Sequence, residues 1–198
     1  MYKFLSLLAM VALSSYGFSA HAEYCQGKFC VGSWVVDTSN DVGQITGFPD
    51  SNTARVKVGN YSSDAPLSNL AIEVPQNDGL AKNVKAIDSS NDVGPVIRVF
   101  EDRRAQYQIG NGLYVSRDLV PEVDEKNSVR KGTNVIDPSN DVGVAVTVFR
   151  DGRVQYKVGT GLYVSRDLVG EVEQVGELKA GLVVIDSSND VGKSLIVF

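Results

Sequence analysis

The chain has 198 residues, 19 basic and 24 acidic, for a net charge of −5, with one histidine and two cysteines. An acidic chain without a Lys/Arg cluster gives no footing for phosphate contacts, which argues against nucleic acid as a partner. The only histidine is His21, and it falls in a leader, so a Ser-His-Asp or Cys-His centre cannot be assembled in the exported chain.

Residues 1–22 read as a secretory signal peptide: a basic start at Lys3, an apolar run from Phe4 to Leu13 and the small-x-small sequence Ala20-His21-Ala22. The apolar run is too short to span a membrane, and cleavage before Glu23 leaves 176 residues with a net charge of −6. The expected location is the periplasm or the medium, with no membrane span after cleavage. Cys25 and Cys30 stand near this new N-terminus. In an exported protein an even, local pair of this kind forms a disulfide. Two ligands without a histidine do not make a metal site.

From Val31 the chain repeats. The phrase Asp-x-Ser-Asn-Asp-Val-Gly occurs at Asp37–Gly43, Asp88–Gly94, Asp137–Gly143 and Asp186–Gly192, at offsets of 51, 49 and 49 residues. Each copy follows an apolar pair and precedes an apolar run, so it reads as a turn between strands. Asp37, Asn40, Asp41 and Gly43 carry turn chemistry, as do Asp88, Asn91, Asp92 and Gly94. The same holds for Asp137, Asn140, Asp141 and Gly143, and for Asp186, Asn189, Asp190 and Gly192. Oxygen spacing gives the phrase a likeness to a calcium loop, but position twelve is Phe48, Val99, Val148 or Val197 where a bidentate Glu is needed. The turn reading is preferred, and no cofactor is invoked.

After the phrase comes a strand, Val96 to Phe100 or Val144 to Phe149, and then a turn in which Asp151-Gly152 favours a two-residue hairpin. The next strand alternates, with Val154, Tyr156 and Val158 inward and Arg153, Gln155 and Lys157 on the wet face. The same register turns Ala105, Tyr107 and Ile109 inward in the second copy, and Ala54, Val56 and Val58 in the first. A nonapeptide, Gly-Leu-Tyr-Val-Ser-Arg-Asp-Leu-Val, follows at Gly112–Val120 and again at Gly161–Val169. In the first copy Tyr61 to Leu70 stands in its place, and a two-residue insertion there accounts for the offset of 51.

Polar links at Pro75–Asn83, Asp124–Thr133 and Glu173–Gly181 mark the joins. The predicted organisation is therefore a repeat over 23–82 carrying the disulfide, repeats over 83–131 and 132–180, and a half-repeat over 181–198 that completes the fold. In that half-repeat Val183, Ile185, Leu195 and Val197 are spaced as inward residues of two strands. No helical period occurs beyond the leader, so the class is all-β. Arg153, Gln155 and Lys157 on the wet faces, and turns that interrupt the strands early, count against an outer-membrane barrel.

The lines Gly132 to Asp137, Val142 to Phe149 and Arg153 to Gly159 resemble small SH3-like barrels of the kind found in tandem in exported bacterial proteins. The resemblance covers about residues 31–175 and implies tandem barrels that bind cell-wall glycan, peptide or protein in a groove between loops. The shortened fourth copy departs from such a string of closed barrels. A β-trefoil is the alternative architecture, with a carbohydrate-active enzyme or inhibitor as the corresponding function; carboxylate pairs or a Ser-Lys pair are the chemistries left to it. The expected function is non-enzymatic binding of a cell-envelope component or another protein. Candidate contacts are Tyr114, Arg117, Tyr163 and Arg166, because the duplicated nonapeptide carries residue types favoured at binding hot spots. Their competing role is packing and local ion pairing.

Overall fold

The structure is a computed structural model that describes residues 24–198, so the leader lies outside the described residues. The described chain is all-β, with a single 3₁₀ turn at Leu67–Asn69. A small hairpin, β1 (Cys25–Gln26) and β2 (Phe29–Cys30), opens the first unit. Five strands follow: β3 (Trp34–Val36), β4 (Val42–Asp50), β5 (Thr53–Val58), β6 (Tyr61–Pro66) and β7 (Ala71–Val74).

The second unit repeats this plan with the hairpin β8 (Gln76–Asn77) and β9 (Leu80–Ala81), then β10 (Lys85–Ile87), β11 (Val93–Phe100), β12 (Ala105–Ile109), β13 (Gly112–Ser116) and β14 (Val120–Val123). The third has the hairpin β15 (Glu125–Lys126) and β16 (Val129–Arg130), then β17 (Asn134–Ile136), β18 (Val142–Phe149), β19 (Val154–Val158), β20 (Gly161–Ser165) and β21 (Val169–Gly170). The fourth copy begins alike, with β22 (Gln174–Val175), β23 (Leu178–Lys179), β24 (Val183–Ile185) and β25 (Val191–Lys193).

Within the first unit the antiparallel order is β6-β5-β4-β3-β7, and no pairing joins β6 to β7. Each unit is thus an open five-stranded sheet, without the hydrogen-bonded closure of a barrel. The last strand has two partners. Ala71 and Ile72 of β7 pair with Val36 and Val35, while Glu73 and Val74 pair with Phe100 and Val99 of the next unit. The same hand-over recurs at the second join, where Glu122 and Val123 pair with Phe149 and Val148. The units therefore follow one another in a line, and no threefold closure of trefoil type is formed among the described strands.

Alternation places the core as expected. Ala54, Val56, Ala105, Tyr107, Val154 and Tyr156 are buried, and each unit has its own cluster. The polar links contain more order than their composition suggests. Each holds a two-by-two hairpin whose turn uses left-handed residues: Asp78 and Gly79 (φ 50° and 81°), Asn127 and Ser128 (φ 53° and 62°), or Gly176 alone (φ 59°). The hairpins that open the first three units insert Phe29, Leu80 and Val129 into their cores. Cys25 and Cys30 form a disulfide and are register partners in the first of them. Glu125 and Arg130 hold the equivalent pair in the third unit, joined there by an ion pair of 2.5 Å.

Two sequence expectations are corrected at the hairpin after Phe149. The Phe149 N–H donates to the Arg153 carbonyl and the Gly152 N–H to the Phe149 carbonyl, which makes a three-residue loop closed by left-handed Gly152 (φ 89°) rather than a two-residue turn. Arg153 keeps the face that alternation gives it, but the preceding unit covers that face at the join, and it is only 8% exposed.

The fourth copy also differs. Val183, Ile185 and Leu195 are exposed, and Val197 alone of the four predicted inward residues is buried. The reason is that β24 and β25 pair only with each other, and a single bridge, Val172 to Val197, ties this copy back to the third unit. The third unit's first strand is flanked by its own β21, as in the earlier units.

Candidate functional site

The repeated phrase builds the joins between units. The Asp37 carboxylate accepts hydrogen bonds from the N–H groups of Ser39 and Asp41 at 2.8 and 2.9 Å, and Asp88, Asp137 and Asp186 do the same in their copies. One carboxylate oxygen is thus committed to folding the turn. In the second and third copies the other oxygen accepts the hydroxyl of a core tyrosine, Tyr107 to Asp88 at 2.7 Å and Tyr156 to Asp137 at 2.8 Å. Burial first, and the carboxylate second, push the Tyr156 hydroxyl up to about 12 and raise that of Tyr107 further. In the first copy Val56 replaces the tyrosine, and the Tyr61 hydroxyl reaches Asp41 at 3.3 Å.

The residue that needs the left-handed conformation is the asparagine, not the glycine. Asn40, Asn91, Asn140 and Asn189 have φ of 69°, 68°, 66° and 66°. The phrase's glycine instead lies where the neighbouring strand passes close. A Cβ on Gly94 would sit 1.9 Å from the Gln108 carbonyl oxygen, and one on Gly43 or Gly143 would sit 2.6 Å from the opposing carbonyl. Gly192 has nothing within 4 Å, because no strand crosses it.

Arginines missed by strand alternation complete the joins. Arg104 of the second unit donates to the Val36 carbonyl at 3.3 Å, to the Asp37 carbonyl and to Asn40 Oδ1 at 2.9 Å. Arg153 of the third unit repeats the arrangement on the Asp88 carbonyl and on Asn91 Oδ1 at 2.9 Å. Each is aimed by an aspartate two residues earlier, Asp102 at 2.7 Å and Asp151 at 2.8 Å. Burial opposes ionisation of these two carboxyls, but the donors of Arg104 and Arg117, or of Arg153 and Arg166, outweigh it and hold both below the usual range. The shared spacing Asp-x-Arg at 102–104 and 151–153 was the available sequence signal.

Apolar and charged contacts flank the latch. Phe100 is fully buried against Val36 and Ala71, and Phe149 is equally buried at the second join. Arg98 lies over the Trp34 ring at 3.7 Å from its centre. Lys28 pairs with Glu101 at 2.5 Å, whereas at the second join Asp78 pairs with Arg150 at 2.8 Å, so the charges are reversed. The Arg150 guanidinium, with Arg103, holds the Asp78 carboxyl down to about 2 against the effect of desolvation.

A groove opens beside each latch. The first has a volume of about 520 Å³ and is lined by Thr38, Asn40, Asn69, Arg104, Ser116 and Arg117 among others; the second, about 600 Å³, is lined by the equivalent Ser89, Asn91, Asp118, Arg153, Ser165 and Arg166. The candidate residues of the nonapeptide therefore separate. Arg117 and Arg166 stand in the grooves, half restrained by Asp102 and Asp151 at 3.1 and 2.8 Å. Tyr114 and Tyr163 lie outside them, exposed, with their rings packed on Tyr107 and Tyr156 at 6.0 and 5.9 Å. Among the described residues no cluster of three metal-ligating side chains occurs, and no helix is long and apolar enough to cross a membrane. No protein-family model, no characterised protein and no solved structure matches this chain.

Proposed function

We propose that the chain is an exported, non-enzymatic binding module that takes a polar chain of the cell envelope, glycan or peptide, in the grooves between its units. The observation that carries this reading is the recurrence of one groove at two joins, with an exposed arginine, a serine and a left-handed asparagine at equivalent places in each. A polar, open groove with convergent donors and acceptors suits a hydrogen-bonding polymer better than an apolar small molecule. Two equivalent grooves on one body suit a ligand that itself repeats, because the second contact is then made at a high effective concentration. The likeness to tandem SH3-like modules belongs to this reading and is supported by the recurrence of a five-stranded antiparallel unit. Export is supported by the leader and by the Cys25–Cys30 disulfide.

Cosedimentation with isolated cell wall and with envelope protein fractions tests it. The wild-type chain is retained, and the double variant Arg117→Ala/Arg166→Ala loses retention at unchanged melting temperature. Equal retention of both, or none by either, contradicts the reading.

A further inference from the structure

The duplicated nonapeptide forms two free sheet edges. β13 pairs only with β12, and β20 only with β19. Each of these hairpins turns through two residues, between the register pairs Ile109–Gly112 and Val158–Gly161. In such a hairpin the closing pair is hydrogen-bonded and the pattern then alternates, so the N–H and C=O groups of Leu113, Val115, Leu162 and Val164 point away from the sheet. Among the described residues no backbone group meets them. Both strands read Gly-Leu-Tyr-Val-Ser, without a charge or a proline, and Leu113, Tyr114, Leu162 and Tyr163 are exposed. The first unit's edge is guarded instead: β6 carries Pro66 and Asp64, the latter paired with Arg55 at 2.8 Å. The two grooves lie where the free edges end, with Ser116 lining the first, and Val164 and Ser165 the second.

We propose that each free edge takes an extended peptide as an added antiparallel strand, which runs on into the groove beside it. This rests on the binding-module reading and narrows its ligand from glycan or peptide to peptide. Outward N–H and C=O groups at every second residue match another peptide backbone, and the hydroxyls of a sugar chain have no such period. The molecule already uses this contact at its joins, where Glu73 and Val74 add to Phe100 and Val99 of the next unit. Main-chain bonds carry the affinity, so the edge tolerates many peptide sequences; alternate apolar side chains of the peptide cover the rings of Tyr114 and Tyr163. In the grooves, Arg117 and Arg166 each commit one terminal nitrogen to Asp102 or Asp151 and keep further donors for the peptide's carbonyls.

The test titrates the isotope-labelled full chain with the peptide acetyl-Thr-Val-Thr-Val-Thr-amide to millimolar concentration, followed by NMR. The amides of Leu113, Val115, Leu162 and Val164 are expected to shift and to exchange more slowly, while those of Tyr114 and Tyr163, already bonded within their hairpins, move less. Methylating the threonine nitrogens, which face the edge when valine covers the tyrosines, should weaken binding at least about tenfold, and methylating the valine nitrogens should not. Absence of shifts, shifts without that alternation, or equal loss from either methylation would overturn strand addition. Retention on isolated cell wall, measured beside it, separates the two readings: a chain that is retained yet takes no peptide overturns the added strand alone, and one that does neither overturns both.

Discussion

Arg153 donates to Asn91 Oδ1 at 2.9 Å across the boundary between the second and third units, and Arg104 donates to Asn40 Oδ1 at the same distance across the boundary before it. The repeated phrase is therefore two devices in one. Its aspartate folds the turn within a unit, and its asparagine, held left-handed, offers an acceptor to the unit that follows. Both arginines are nearly inaccessible, at 6% and 8% exposure. A buried cation of this kind is tolerated only when its donors are met, here by a carboxylate, backbone carbonyls and an amide.

The close approach of strands at the phrase makes one glycine indispensable and another dispensable. Gly94→Ala would drive a Cβ into the Gln108 carbonyl and should destabilise the chain by at least about 3 kcal/mol. Gly192→Ala meets open space and should change stability by no more than about 0.5 kcal/mol. Urea denaturation of the two variants beside wild type checks the contrast.

The Tyr156–Asp137 bond predicts loss of stability at both ends of the pH scale. The hydroxyl of Tyr156 is raised, so its contribution is complete below the ordinary tyrosine value and fades as pH climbs from about 10 to about 12. The carboxyl of Asp137 is lowered, by the Tyr156 hydroxyl and then by the Asp141 N–H, so its contribution is complete above the ordinary carboxylate range and fades as pH falls below it. Melting temperature followed from pH 2 to 12 should show a broad plateau with two shoulders, and Tyr156→Phe should flatten the alkaline one. Spectrophotometric titration of tyrosinate should lose a late-ionising component in the same variant.

At the N-terminus, the proposed export predicts a chain that begins at Glu23 with an intact mass two hydrogens below that of its reduced form. The hairpin at Cys25–Cys30 has the same place in its unit as the Gln76–Ala81 and Glu125–Arg130 hairpins, which are held without a covalent bond. Replacing both cysteines by serine should accordingly leave a folded chain, weakened by about 2 kcal/mol on the chain-entropy argument for so short a loop. Mass spectrometry and thermal melting read the two outcomes.

Much of this architecture was legible in the sequence because it rests on period and repetition. Strand alternation found Tyr107 and Tyr156 in the core, and the fourfold phrase located every turn between the first strands. Alternation gave Arg153 its face but not its burial, because a strand's pattern does not show that the preceding unit covers that face where Arg153 reaches the Asp88 carbonyl and Asn91. It failed in the links, where turn residues such as Asp78-Gly79 sit between strands of only two residues, too short to show a period. The exposure of Val183 and Ile185 was hidden for another reason: a strand's pattern states which face is apolar, not whether anything covers it. Of the candidate contacts, Arg117 and Arg166 lie in the grooves while Tyr114 and Tyr163 lie outside them, a division that follows from which residues the join brings together.

The claim that the phrase latches one unit to the next is tested most directly by a double-mutant cycle on Arg153 and Asn91. Arg153→Ala alone should cost about 3 kcal/mol, since it strips donors from buried acceptors and leaves Asp151 without its nearest cation. Arg153→Lys should restore little of this, because an ammonium cannot reproduce the fork. With Asn91→Gly as the partner variant, which preserves the left-handed turn, the account predicts a coupling of about 1.5 kcal/mol or more from equilibrium unfolding. Additive effects of the two substitutions would contradict it.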